Sequence, residues 1–169
     1  MLYTLNLKEI RAYLFTTLFV AGNLLLPFVC HHMPQVIAGV NDGLIWLPIY
    51  FFTLIAAYKF GIQVGLLTAI ASPLVNSLLF GMPVSAMLPS ILLKSVLLAI
   101  AAAYFAHKAG KVSFLAVLCA VIAYQFVGTA IEWIGKDFYQ AIVDIRIGFP
   151  GILLQIFGGY AVLKMLKNI

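Results

Sequence analysis

The chain has 169 residues, 64% hydrophobic and 9% charged, with ten Lys and Arg against five Asp and Glu for a formal net charge of +5 and a mean hydropathy of +1.12. A single soluble core of this size could not hide so much apolar surface, which excludes a water-soluble globular domain and selects an all-α integral membrane bundle. The basic residues are dispersed, with no aromatic-interleaved basic patch, which argues against nucleic acid as a partner.

Six apolar stretches follow one another, at residues 11–29, 44–58, 62–80, 89–107, 112–134 and 148–163. Each is long enough, or nearly so, to cross about 30 Å of hydrocarbon at about 1.5 Å per residue. The first follows Lys8 and Arg11 as a signal peptide would, but it is long, contains Pro27 and lacks a small-residue cleavage pattern, so it reads as a retained helix. The second is the shortest, and only Lys59, Phe60 and Gly61 separate it from the third, which demands a tight turn. With both termini inside, Lys8, Arg11, Lys59, Lys108, Lys111, Lys164 and Lys167 fall on the cytoplasmic side. Lys136 and Arg146 fall outside, and Lys94 lies within a helix, an asymmetry that follows the positive-inside rule. Cys30, at the outer end of the first helix, and Cys119, inside the fifth, do not form a disulfide framework. No linker, low-complexity tract or repeat divides the chain, so residues 1–169 read as one six-helix domain.

The inner turns are short and basic. The outer connections, 30–43, 81–88 and 135–147, include two long enough to fold over a ligand as a lid, and they carry His31, His32, Asn41, Asp42, Lys136, Asp137, Asp144 and Arg146. Within the fifth helix Gln125, Thr129, Glu132 and Lys136 share one face, with Trp133 beside it. A carboxylate at the centre of a spanning helix costs about 2.5–3.5 kcal/mol on insertion scales, so Glu132 should face protein or water and not lipid. Thr68, Ser72 and Asn76 form a second stripe, Trp46, Tyr50 and Thr53 a third, Ser90 and Lys94 share a face, and Gln155 lies well inside the sixth helix. Convergence of these stripes toward the outer third marks a candidate binding site. Each has a structural alternative: Thr68, Ser72 and Asn76 bonding between helices, Lys94 snorkelling to the interface, Glu132 pairing with Lys136, and Trp46, Tyr50 and Trp133 lining the interfacial belt.

The run Cys30, His31, His32, Met33 contains metal-ligating types, but adjacent residues seldom converge on one ion and no second spaced cluster supports them. The expectation is no metal, with His32 as a lid residue. No GxSxG, HExxH or Walker A motif occurs, so the expectation is no catalysis, no cofactor, and any active transport powered by a partner or an ion gradient.

The segment from Phe51 to Gly61, followed by Val64-Gly65-Leu66-Leu67-Thr68-Ala69-Ile70, resembles the substrate-binding S component of energy-coupling factor (ECF) vitamin transporters. The outer turn Leu78-Leu79-Phe80-Gly81-Met82-Pro83 and the opening Gly148-Phe149-Pro150-Gly151 fit the same style, and the resemblance spans essentially the whole chain. It implies a protein of a prokaryotic cytoplasmic membrane that captures a vitamin or related micronutrient from outside under its first outer loop. It also implies a transmembrane T component and two ATPase subunits as partners, which carry out the ATP hydrolysis. Members dock through small residues on the first helix, often Ala-x-x-x-Ala. The nearest equivalent here is Thr17 and Ala21, with Gly61, Gly65 and Ala69 a second small-residue series. The start Met1-Leu2 departs from the histidine that follows Met in the nickel and cobalt members. Lys94, Lys136 and Arg146 suit a carboxylate or phosphate, Glu132 and Asp137 an amine or ring nitrogen, and Trp46, Tyr50 and Trp133 a heterocycle, with cobalamin a remoter version. Two readings from other classes remain: a scaffold of a cell-envelope complex, and an intramembrane lipid-modifying enzyme built on Glu132, Asp137 and His32.

Overall fold

A computed structural model describes residues 2, 4–31, 42–135 and 137–166; the sequence-based candidates His32 and Lys136 lie outside them. The elements are α1 (Ile10–His31), α2 (Asp42–Trp46), a 3₁₀ turn (Pro48–Tyr50), α3 (Phe51–Phe60), α4 (Ile62–Phe80), α5 (Leu88–Ala109), α6 (Phe114–Gly135), α7 (Phe138–Ala141), α8 (Val143–Arg146), α9 (Phe149–Leu153), a π-helical turn (Leu154–Gly158) and α10 (Gly159–Met165). No strand occurs among the described residues. Four helices, α1, α4, α5 and α6, are long and apolar enough to cross a membrane. Their outward faces carry large apolar side chains such as Leu14, Leu18, Leu78, Leu115, Phe126 and Ile134, which suits a bundle whose solvent is hydrocarbon.

The other two expected spans differ. The stretch 44–58 is not one helix: it breaks at Leu47, whose backbone is left-handed (φ 46°, ψ 45°), between α2 and the 3₁₀ turn. The cause is Pro48, which lacks an N–H and drives the preceding residue out of the right-handed helical region. The helical run Pro48–Phe60 that remains rises about 20 Å, and the apolar run Phe149–Met165 about 25 Å, both short of a full hydrocarbon core.

α3 is the central element, packed by α1, α4, α5 and α10. Small residues allow this. Ala56 and Ala57 are fully buried, and a Cβ on Gly65 of α4 would come within 2.7 Å of the Ala57 Cα. Gly65 is therefore spent inside the α3–α4 hairpin and is withdrawn from the docking surface, whereas Thr17 and Ala21 are exposed on α1. The tight turn between α3 and α4 is the single residue Gly61, at φ 93°. Where α3 begins, its free backbone N–H groups have no water to meet. The side chain of Asn23, buried in α1, accepts from Phe52 N (3.1 Å) and donates to Thr53 Oγ1 (3.1 Å) and Ser72 Oγ (3.0 Å). This assigns Ser72 and Thr53 to helix joining, while Thr68 bonds back to Val64 O (2.8 Å).

One end of the bundle gathers the basic turns. Lys59 Nζ donates to Leu166 O (2.7 Å) at the end of α10. The Tyr58 hydroxyl donates to Lys111 O (3.0 Å) and accepts from Ser113 N (3.1 Å), and Leu5 N donates to Phe60 O (3.1 Å). Lys8, Arg11, Lys59, Lys108, Lys111 and Lys164 thus belong to one end. The close α3–α4 approach makes a contrast: Gly65→Ala is expected to lower the thermal midpoint in mild detergent, with a loss of about 1–3 kcal/mol from overpacking. Gly135→Ala, where a Cβ meets nothing within 4 Å, is expected to be neutral or slightly stabilising.

Candidate functional site

At the opposite end a charged cluster is buried among apolar helices. Lys94 enters from the second turn of α5 and is only 1% exposed. Its Nζ lies 2.7 Å from Glu132 Oε2 on α6 and 2.6 Å from Asp144 Oδ2 on α8. An ammonium removed from water is tolerable only with charge partners at this range. Lys94 reaches them because Gly128, one turn before Glu132 on α6, has no side chain: a Cβ there would meet Lys94 Cγ at 2.8 Å. Lys94 therefore does not snorkel, and it is not an open anion receptor.

Below this triad, toward the bundle centre, lies a neutral tier. The Tyr124 hydroxyl on α6 donates to Gln155 Oε1 (2.7 Å) in the π-helical turn and accepts from Gln125 Nε2 (3.1 Å). The Tyr50 ring leans on Tyr124, with centroids 5.7 Å apart and planes at 48°, and its hydroxyl is within electrostatic reach of Asp144 and Glu132. Gln125 Oε1, Gln155 Nε2, Thr129 Oγ1, Ser95 Oγ and Trp46 Nε1 are buried with no hydrogen-bond partner among the described residues. In native proteins such groups are rare, and their concentration in this tier makes it the candidate site.

The cap over this end is made by α2 packing on α9. A Cβ on Gly148 would meet Leu47 Cδ1 at 2.7 Å and Leu44 O at 3.0 Å, and one on Gly151 would run into the Trp46 backbone and Ile45 O (2.9 Å). The Gly-Phe-Pro-Gly opening of the last helix is thus the seat of α2, and it places Trp46 over this end.

Of the sequence-based candidates, Lys94, Glu132, Tyr50, Gln125, Thr129 and Gln155 come together along one buried column. Asn76 is buried in α4 but bonds to none of Lys94, Glu132 and Asp144 among the described residues. Trp133 departs from its expected role. It is 58% exposed and sits edge-on to Phe138 (5.1 Å), because the step of about 100° from Glu132 turns it away from the column. Arg146 is exposed at the end of α8. Asp137 caps α7 by accepting from Tyr139 N (3.2 Å).

Sequence reasoning missed three residues. Asp144 reads as a solvated loop acid, yet a lysine inside a span demands a carboxylate, and Asp144 is one of few on that side. Tyr124 carries no separate signal in an apolar helix, and Gly128 matters only once Lys94 is placed. Among the described residues no group of three His, Cys, Asp or Glu is arranged to hold a metal ion, and Cys30 and Cys119 are not joined in a disulfide.

Lys94→Met should destabilise the purified protein by about 3 kcal/mol or more, since it leaves two carboxylates facing each other in a dry site. The triple variant K94M/E132Q/D144N should recover much of that loss, as read from melting midpoints in detergent. A K94M protein as stable as the parent would refute the buried triad. No protein family model, no curated protein and no solved structure matches this chain.

Proposed function

We propose that the chain is a membrane-embedded capture protein that takes a small heterocyclic micronutrient from the outer side and passes it inward with an energising module. The observation that carries this reading is the column of buried polar groups running from Gln155 and Gln125 past Thr129 to Glu132 and Lys94. Its hydrogen-bonding capacity is only partly used by the protein itself. Such a column is expensive in a bundle surrounded by lipid, and a bound ligand supplying matching donors and acceptors offsets that expense.

The remaining parts fit the scheme. With the basic end in the cytoplasm, the triad and the α2 cap lie at the outer face, as the positive-inside rule requires. α1, α4, α5 and α6 then span the membrane, and the Pro48–Phe60 and Phe149–Met165 runs complete a six-segment bundle with α2 and the π-helical turn as their breaks. Thr17 and Ala21, exposed on α1 with Gly22 behind them, offer a surface that a transmembrane partner helix can approach closely. With no nucleotide-binding motif in the chain, ATP hydrolysis belongs to partner subunits, as in ECF transporters, and a prokaryotic cytoplasmic membrane is the setting. A scaffold reading is favoured by one specific feature, the Asn23, Thr53 and Ser72 network, which joins three helices and commits both N–H donors of the Asn23 amide.

Protein purified in mild detergent from cells grown in rich medium, then denatured, is expected to release one small heterocyclic compound in near-stoichiometric amount by mass spectrometry. Glu132→Gln should release at least tenfold less. A preparation that releases nothing and binds no member of a vitamin panel would move the assignment to the scaffold.

A further inference from the structure

Gln125 and Gln155 are 5% and 1% exposed, and both turn one end of their amide toward the same Tyr124 hydroxyl. That hydroxyl carries one proton. It donates to one amide and accepts from the other, so one glutamine faces it through oxygen and the other through nitrogen. The outward ends are therefore complementary: one C=O and one NH2, here Gln125 Oε1 and Gln155 Nε2, both buried and unpartnered. The conclusion survives exchange of O and N in both amides, because the hydroxyl still enforces opposite ends.

We infer that Gln125 and Gln155 form a subsite for a ring amide, an N–H beside a C=O within a heterocycle of the pyrimidinone or pteridinone class. This rests on the capture reading above and narrows its ligand. A ring amide presents the acceptor and donor that this pair lacks. The tilted Tyr50 and Tyr124 rings give it aromatic neighbours. Gln155 lies in a π-helical turn, a local widening of the helix that changes which face its side chain occupies and that recurs at functional sites. Gln125 and Glu132 are separated by about 10 Å along α6, with the unpartnered Thr129 Oγ1 between them. A bicyclic ring held at the glutamines thus directs its substituent toward the triad. There Lys94 already serves two carboxylates, which disfavours a carboxylate or phosphate as the ligand's main anchor.

The test uses the full-length protein in mild detergent, freed of any bound compound. Calorimetric titrations compare lumazine (pteridine-2,4-dione), its 1,3-dimethyl derivative, which has lost both ring N–H groups, and nicotinate as a carboxylate-bearing heterocycle. Lumazine is expected to bind saturably, and the dimethyl compound on the order of a hundredfold more weakly, since a site built to bond an N–H rejects an analogue without it. Gln125→Met, close in volume to the parent, removes the carbonyl that accepts the ring N–H, and should weaken lumazine by at least about tenfold and leave the dimethyl compound, which has no N–H to offer, unchanged. The compound released on denaturation should itself contain a ring N–H beside a C=O. Equal binding of lumazine and its dimethyl derivative, binding of nicotinate alone, or release of a compound without such an edge overturns the ring-amide assignment and leaves capture standing. Absence of any released compound together with no binding of all three probes overturns both.

Discussion

An ammonium group inside an apolar bundle dictates the arrangement of everything near it. Lys94 is held by Glu132 from the neighbouring long helix and by Asp144 from a short helix that is no part of the long spans. Charges in a medium of low polarity attract strongly but are costly to desolvate, so the arrangement holds only with close geometry on both sides. Gly128 gives the lysine stem its path across α6, and the Gly148 and Gly151 corner brings α8, α9 and α2 into register over it. Remove the lysine, and the connection that carries α8 loses the charge Asp144 docks against.

The two ends of the bundle are therefore built by different forces. The basic end is closed by neutral and charge-assisted hydrogen bonds to backbone carbonyls, such as Lys59 to Leu166 and Tyr58 to Lys111, which tie the turns together. The other end is closed by ion pairing and by glycines that admit a neighbouring backbone. Between them, α3 packs through alanines and Gly65, and its buried start is completed by the Asn23 amide, which does the work of water where none is present.

Much of this was legible in the residues. The helical face of Gln125, Thr129 and Glu132, the placement of Lys94 and Gln155, the Gly61 turn and the segregation of basic turns all follow from spacing and from the rule that lipid accepts few polar groups. Other features were not. The break at Leu47 required giving Pro48 more weight than the apolar run around it. Trp133 lies beside that face in the sequence and suits a stacking wall there, although one residue on a helix is enough to turn a side chain outward. Asp144 lay hidden because ion pairs across fifty residues leave no periodic trace, and Gly65 had two uses, packing inside or outside, between which composition does not choose. Thr53, Ser72 and Asn23 became a network only when three separate helices were assembled, since hydrogen-bond partners in a bundle are fixed by tertiary contact and not by sequence distance.

Asp144 lies on the short helix α8, while the lysine it serves is buried on the second turn of α5. Any displacement that lifts α8 strips Lys94 of one of its two carboxylates. The position of α8 and the charge balance of the interior are thus a single coordinate: a structural cover is also a counter-ion. Moving it means separating an ion pair in a medium that resists separating charge. The opening rate of this end of the bundle is then set by how fast that pair parts as well as by how well the short helices pack.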